Sequence, residues 1–238
     1  MWNIRLLLTI CRFEESSRAP CECITNIASH DACYYYRVRY VIGVDEAGRG
    51  ALAGPVSVGA VLFPMDLDWR EIFKLVTKRG SVRLRDSKQL SAQQRDTLYE
   101  YIAAHGRLKH ACAFVNARVI DEIGIANAAR EAAAKAVARL GVGPARVEVL
   151  LDAGLAVSSR WTQQAFIRGD ETIPAIALAS IVAKVSRDRL MERLSSIYAL
   201  YHFDEHKGYG TLAHRRAIRR EGLSEIHRTT YCVKLLAA

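Results

Sequence analysis

The sequence contains no apolar run that approaches the roughly 18 residues needed to cross a bilayer. Its first residues, MWNIRLLLTICRF, include a short apolar run but no small-residue cleavage site, so they do not fit a secretory signal peptide. Internal repeats and low-complexity segments are also missing. These absences exclude membrane-spanning, secreted and repeat proteins, and we expect a cytoplasmic location.

Cysteines are few, and their spacing does not suit a zinc site. Six occur, and four of them lie within the first 33 residues. Only one residue separates Cys21 from Cys23, whereas a common zinc knuckle has two, and no second pair follows at a suitable distance. A chain of this size without secretory signals implies no disulfide framework. Zinc binding and a disulfide scaffold are therefore disfavoured.

Positive charge is abundant. The 238 residues carry a formal net charge of +9, which favours a polyanionic partner, and their length and 50% hydrophobic content suit one well-packed domain. Basic residues are concentrated near the C-terminus, where they would either follow phosphates or form an ordinary solvated helix face. They are Lys207, His214, Arg215, Arg216, Arg219, Arg220, Arg228 and Lys234.

The alternation of apolar patterns predicts a mixed α/β fold with one central sheet. Strands are predicted at residues 40–44, 56–63, 108–115, 146–151 and 165–167, and the first two form a hairpin. A capping box predicts a helix that starts at Ser91. Further helices are predicted over residues 117–140, over residues 174 to about 200, and in the basic C-terminal segment.

Four acids lie at the ends of predicted strands: Asp45, Glu46, Asp152 and Asp170. Carboxylates brought together repel one another, and one takes up a proton unless cations lie among them. Mg²⁺ is the natural candidate because it prefers oxygen ligands and keeps positions open for water and phosphate. The alternative for each single acid is a turn residue or a helix cap.

Asp45 and Glu46 are adjacent, which poses a geometric question. Side chains of successive strand residues point to opposite faces of a sheet. One of the two acids must therefore lie at a distortion or at the exit of the strand, or must contribute its backbone carbonyl.

Gly48, Arg49 and Gly50 follow the acidic pair directly. Glycine lacks a Cβ and so lets the backbone approach a ligand closely, where amides and carbonyls can test a sugar hydroxyl and distinguish RNA from DNA. The same tripeptide is also typical of a tight turn between two strands.

Five segments together resemble bacterial ribonuclease HII, the type 2 ribonuclease H. They are VIGVDEAGRG (41–50), DSKQLS (86–91), LLDAG (150–154), RGDETIPAIALASIVAKVSRD (168–188) and HKGYGT (206–211). The similarity runs from about residue 39 to 234 in the family's order. It implies an α/β fold with a ribonuclease H-like mixed sheet flanked by helices. We expect a poorly ordered extension over residues 1–37, the catalytic domain over 38–200, and a basic helical extension packed on it over 201–238.

The resemblance also implies an activity, namely an endonuclease that hydrolyses the RNA strand of RNA–DNA hybrids. It implies cleavage on the 5′ side of ribonucleotides embedded in duplex DNA, with 5′-phosphate and 3′-hydroxyl products. The cofactor would be Mg²⁺ or Mn²⁺, with two ions in the active complex, and a monomer is expected. Asp45, Glu46, Asp152 and Asp170 resemble the family's catalytic, metal-binding carboxylates.

Substrate-binding positions follow from the same motifs. Gly48, Arg49 and Gly50 resemble the loop that reads the 2′-hydroxyl, and Tyr209 resembles the aromatic residue that stacks on the sugar next to the junction. Three lysines are candidates for phosphate binding, although each alone would also be explained as a solvated side chain. They are Lys88, Lys184 and Lys207.

Three positions depart from the family's pattern. Ala51 stands where proline is common, Ala153 where glycine often follows the third acid, and Gly124 where many members have asparagine. None of them is a ligand, but Ala153 would shift the backbone after Asp152 and so change metal affinity or the choice between Mg²⁺ and Mn²⁺.

Two other classes of function remain open from the residues. A junction resolvase or transposase-like nuclease would use a similar acid cluster on a similar fold. A non-catalytic nucleic-acid-binding module would use only the basic C-terminal face. The tripeptide at 48–50 and Tyr209 distinguish the ribonuclease from the junction resolvase, whereas binding without metal-dependent cleavage would indicate the binding module.

Overall fold

The computed structural model of the chain describes residues 39–76 and 90–236. The extension predicted over residues 1–37 and the phosphate-binding candidate Lys88 lie outside these ranges. No helix in the described ranges is both long enough and apolar enough to cross a membrane.

The sheet has five strands in the order β3-β2-β1-β4-β5. The strands are β1 (Tyr40–Ala47), β2 (Val56–Pro64), β3 (Lys109–Val115), β4 (Val147–Asp152) and β5 (Thr162–Phe166). The first three form an antiparallel meander, while β4 runs parallel to β1, and β5 runs parallel to β4. The predicted strands and hairpin are confirmed, although β5 begins three residues before the predicted start at 165.

The helices lie between and after the strands. In chain order they are α1 (Trp69–Lys74), α2 (Ala92–Ala104), α3 (Ala117–Ile123), α4 (Ile125–Arg139), α5 (Gly169–Thr172), α6 (Pro174–Ile197), a 3₁₀ turn (Ala199–Tyr201), α7 (Phe203–His206), α8 (Leu212–Glu221) and α9 (Thr229–Leu236). The capping box is confirmed, since Ser91 Oγ accepts from the Gln94 amide at 3.2 Å and Gln94 Oε1 accepts from the Ser91 amide at 2.8 Å.

The single helix predicted over residues 117–140 is wrong. Gly124, with φ of 78° and ψ of 154°, separates α3 from α4. Its amide donates to Ile120 O at 2.9 Å and closes α3, and α4 starts afresh at the next residue. Apolar spacing alone does not reveal this break, because both helices keep their apolar residues toward the sheet.

Two helices cover opposite faces of the sheet. The alanine-rich face of α4, including Ala129, Ala132 and Ala136, packs on one face, and the N-terminal half of α6 packs on the other. At Gly43 of β1 a Cβ would lie 2.0 Å from the backbone carbonyl of Ala175, so only glycine lets α6 approach this closely. This close packing fixes the following turns of α6 beside the end of β1.

The C-terminal segment packs against the turn that follows β1. Leu52 donates its amide to Gly208 O at 2.8 Å, and Gly54 donates to Ile226 O at 2.8 Å. Ala53 shares a small buried cluster with Phe203 and other C-terminal side chains. The division of the chain at residue 200 stays a prediction.

The predicted basic C-terminal face needs one correction. Arg215, Arg216, Arg219 and Arg220 are exposed on α8, but His214 and Arg228 are fully buried. The helical period explains His214, which lies with Ala217 and Ile218 on the inner side of α8. The side chain of Lys234 lies outside the described part of the chain.

Candidate active site

The carboxylates meet where two parallel strands end. The last residue pair between β1 and β4 is Val44 with Leu151, so Asp45 and Asp152 follow at neighbouring carboxyl ends. Val44 and Leu151 belong to the core under α4, and alternation therefore turns both acids to the α6 face. Carboxylate oxygens of Asp45, Glu46 and Asp152 all lie within 4.8 Å of one another.

Glu46 joins this cluster from the exit of β1. Pairing between β1 and β2 continues to Ala47, whereas pairing with β4 stops at Val44, so the β4 side of Glu46 is open. A carboxylate oxygen of its side chain lies within 4.8 Å of those of Asp45 and Asp152. The Asp45 carboxylate in turn accepts a hydrogen bond from the Glu46 amide at 2.8 Å. Of the three possibilities that the sequence left open, the position of Glu46 near the end of β1, beyond the last pair with β4, fits the strand exit.

Asp170 is placed differently from the prediction, which put it at a strand end. β5 ends at Phe166, and Asp170 lies four residues later on the one-turn helix α5, where it is buried. The Gly169 amide donates to Asp152 Oδ1 at 2.9 Å and docks α5 on the cluster. Asp170 is not part of the trio within 4.8 Å, but its charge contributes to the raised pKa of Glu46.

The trio is electrostatically strained without a cation. Burial, followed by repulsion from Asp152 and Glu46, raises the pKa of Asp45 well above its ordinary value. Burial also raises the pKa of Glu46, although Arg49 lies 2.8 Å away and opposes the change. Glu46 Oε2 is buried and has no hydrogen-bond partner among the described residues. A divalent cation would satisfy this oxygen and neutralise the repulsion, so the residues fit a metal site.

A cavity of about 400 Å³ opens beside the carboxylates. Its walls contain one acid and three basic side chains, which suits a substrate with phosphate groups. The lining residues are Glu46, Ala47, Gly48, Arg49, Gly50, Arg95, Ser180, Ile181, Lys184 and Tyr209. The structure therefore gathers five of the predicted substrate-binding residues around one space, together with one of the predicted carboxylates.

Two polar lining residues were missed from the sequence. Ser180 hydrogen-bonds to the Asp45 carboxylate and lies one helical turn before Lys184 on α6, so i, i+4 spacing from that lysine would have found it. Arg95 follows the capping box on α2, and its guanidinium donates to Leu90 O. Nothing in the local pattern distinguishes Arg95 from an ordinary surface arginine.

The two glycines of the 48–50 loop differ in their surroundings. Gly48 has φ of 87°, and a Cβ there would lie 2.0 Å from Arg187 Nε. At Gly50 a Cβ would meet no atom within 4 Å, so that residue faces open space. Gly48 is thus required by the protein's own packing, whereas Gly50 leaves room for a ligand.

Tyr209 is half-buried, and two cations lie near its ring. Arg187 Cζ is 5.2 Å and Lys184 Nζ 5.5 Å from the centroid of its ring. Lys184 also pairs with Asp188 at 2.8 Å. Lys207 does not line the cavity, and its ammonium lies 2.9 Å from Glu192 Oε1. Phosphate binding by Lys207 stays a prediction.

The sheet order, the carboxylates at its open end and the neighbouring basic cavity are those of a ribonuclease H-like, metal-dependent nuclease. Comparison with known proteins narrows this class. The family model described as Ribonuclease HII matches residues 42–234, and the chain belongs to the ribonuclease HII family. It is accordingly a type 2 ribonuclease H, an endoribonuclease that depends on a divalent metal.

Relatives match over most of their length. The chain is 41% identical to ribonuclease HII of Caldicellulosiruptor bescii over 199 residues, which cover 84% of this chain and 89% of the relative. It is 40% identical to ribonuclease HII of Acholeplasma laidlawii over 210 residues, which cover 87% and 95%. Family membership favours the ribonuclease over the junction-resolvase and non-catalytic alternatives.

Solved structures show the same fold. Ribonuclease H2 of Pyrococcus horikoshii superposes with a TM-score of 0.59 at 25% identity, covering 82% of this chain and 96% of that one. Archaeoglobus fulgidus RNase HII, solved in complex with PCNA, gives 0.62 at 25% identity and covers 80% and 94%. Bst-RNase HIII in complex with Mn²⁺ gives 0.60 at 18% identity, covers 97% and 80%, and supports the fold alone.

Proposed function

We propose that this ribonuclease H hydrolyses the RNA strand of RNA–DNA hybrids and also cuts on the 5′ side of single ribonucleotides embedded in duplex DNA. The products would carry 5′-phosphate and 3′-hydroxyl ends. The supporting observation is the position of Glu46, which belongs to the carboxylate trio and also lines the cavity with Gly48, Gly50 and Tyr209. Sugar recognition and bond cleavage would therefore take place side by side.

Asp45, Glu46, Asp152 and Asp170 would hold the metal, and two ions, Mg²⁺ or Mn²⁺, would be present in the active complex. Carboxylate oxygens suit both cations, and Mn²⁺ is the ion bound in the Bst-RNase HIII structure. When bound, the cations supply an activated water and stabilise the leaving 3′ oxygen.

The protein's own residues would orient the carboxylates. The Ser180 hydroxyl and the Glu46 amide both hydrogen-bond to Asp45 and fix its side chain. Arg49 holds one oxygen of Glu46 at 2.8 Å and leaves the other free to bind a cation. The Gly169 amide holds Asp152 at 2.9 Å, so the acids are positioned before substrate arrives.

Substrate contacts would be divided along the cavity. The open backbone at Gly50 would approach the 2′-hydroxyl, and the ring of Tyr209 would stack on the neighbouring sugar. Lys184 and Arg95 would bind phosphate on the α6 and α2 sides. Tyr209 belongs to the 201–238 segment, which we propose is a helical extension packed on the 38–200 catalytic domain. Because one chain supplies every residue named, a monomer is sufficient.

One experiment tests reaction, substrate and cofactor together. DNA duplexes that contain no ribonucleotide, one or four, along with a full RNA–DNA hybrid, would be incubated with Mg²⁺ or Mn²⁺. End-labelled products would then be sized on denaturing gels. We expect metal-dependent cleavage 5′ of each single ribonucleotide and no cleavage of the all-DNA duplex. Equal cleavage of the all-DNA duplex would contradict the proposal and favour a junction-resolvase activity.

A further inference from the structure

The side chain of Arg228 is fully buried beneath the 48–50 loop. Its guanidinium donates to Gly48 O at 2.7 Å, to Arg49 O at 2.8 Å and to Gly54 O at 3.0 and 3.1 Å. All four bonds go to main-chain oxygens of the loop and of the turn that follows it. Burial lowers the pKa of Arg228 to about 10, so the group stays charged at neutral pH. The hydrogen bonds of this buried, charged guanidinium therefore fix the position of the 48–50 loop.

The preceding residue, His227, starts a second chain of hydrogen bonds. Its Nδ1 accepts from the Ser224 amide at 2.9 Å and lies 2.8 Å from the Ser224 hydroxyl, so we assign the ring proton to Nε2. That proton is donated to His214 Nε2 at 3.0 Å, and His214 Nδ1 donates to Tyr209 O at 3.0 Å. Only one arrangement of protons on two neutral imidazoles satisfies every contact in this chain.

The two sets of hydrogen bonds start at adjacent residues. They end at the two parts of the site that are proposed to contact the sugar. Arg228 reaches the 48–50 loop, and His227 reaches Tyr209 through His214. The backbone of His227 also forms a bridge with Ala53 in the turn after the loop. The 48–50 loop and the backbone of Tyr209 are thus both bonded to side chains that start from one short, buried segment.

We infer that His227 and Arg228 are positioning residues that set the spacing between the 48–50 loop and Tyr209. This inference rests on the proposed function of that site, and it identifies what makes the ribose test selective. The loop must reach the 2′-hydroxyl while the ring of Tyr209 stacks on the neighbouring sugar, so both contacts have to form at the same time. Errors of about 1 Å in such geometry cost up to about 100-fold in rate.

The test uses paired variants of the full chain. Arg228→Lys keeps the charge but loses the planar fork that reaches three carbonyls. His227→Phe keeps an aromatic ring but removes every hydrogen bond of the side chain, whereas His227→Gln keeps a donor near the position of Nε2. Arg130→Lys, an exposed residue of α4, is the matched control. For each, kcat and KM on a one-ribonucleotide duplex and the thermal midpoint would be measured.

We expect Arg228→Lys and His227→Phe to lower kcat by about 10- to 100-fold with KM within about twofold, and His227→Gln to recover most of the loss. Folded Arg228→Lys with wild-type kcat would overturn the inference. If Arg228→Lys does not fold, the comparison of His227→Phe with His227→Gln decides, because equal rates in these two would also overturn it. A wild-type protein that fails to cut the one-ribonucleotide duplex would instead overturn the proposed function.

Discussion

Arg49 Nη1 lies 2.8 Å from Glu46 Oε1, so the loop assigned to the sugar is joined directly to the carboxylate cluster. This ion pair lowers the pKa of Glu46, whereas burial raises that pKa. Arg49 therefore helps Glu46 stay ionised, which metal binding requires because protons and metal compete for carboxylates.

Replacing Arg49 with Met should weaken metal binding most at low pH. Without the guanidinium, the pKa of Glu46 rises further, and more of the carboxyl is protonated at any given pH. We expect Mn²⁺ affinity measured by calorimetry to fall more steeply between pH 8 and pH 6 in the variant than in the wild type. An equal loss in both proteins between these pH values would exclude this role for Arg49.

Asp45→Asn should abolish cleavage and leave substrate binding largely intact. The variant should also be more stable than the wild type when metal is removed with EDTA, because the buried carboxylate repels Asp152 and Glu46. Urea unfolding in the presence of EDTA measures this gain. Excess Mg²⁺ should reverse the order, since the wild type alone retains the full site. Unchanged turnover would remove Asp45 from the catalytic assignment.

The strands and acids could be predicted from the sequence because both depend on local pattern. The hairpin follows from β-branched runs, and Asp152 follows from an apolar run that ends in a carboxylate. The family resemblance predicted Glu46 in the cluster, but the strand pattern did not, since alternation argues against it and the early end of β1–β4 pairing permits it. Tertiary contacts decide such cases.

The buried arginine shows a different limit. In the sequence Arg228 is one of many basic residues near the C-terminus, and charge composition assigns it to the surface. Its burial depends on carbonyls of a loop about 180 positions earlier in the chain, as the bonds to Gly48 and Arg49 show. Gly124 is similar, since the apolar spacing continues across the residue that ends α3.

The buried histidines should make stability depend on pH. The folded-state pKa values of His214 and His227 are lowered to about 4, mainly by burial, whereas the unfolded values are near 6.5. The unfolded chain therefore binds more protons in this interval, and stability is complete above pH 6.5 and lost as pH falls toward 4. The loss is on the order of 3 kcal/mol for each histidine. Urea unfolding between pH 7.5 and 4.5 measures it.

The variant that isolates this effect is His214→Gln combined with His227→Gln, which has no titrating imidazole at either position. Asp45 and Glu46 have raised pKa values and change stability in the opposite direction, but they do so equally in both proteins. The stability of the wild type relative to the variant should therefore decrease as the pH is lowered. A difference that stays constant from pH 7.5 to 4.5 would contradict the assignment.

An alanine at position 48 should lower the stability of the protein, whereas an alanine at position 50 should lower its activity. At Gly48 a Cβ would overlap Arg187 at 2.0 Å, and the backbone has φ of 87°, so Gly48→Ala should cost about 2 kcal/mol or more in the free energy of unfolding.

At Gly50 the added methyl meets open space in the protein and should change stability by less than about 0.5 kcal/mol. The same methyl would, however, stand between the backbone and the ribose. Gly50→Ala should therefore keep its thermal midpoint and lose at least about tenfold in cleavage of the one-ribonucleotide duplex. Wild-type cleavage by folded Gly50→Ala would show that the sugar is read elsewhere.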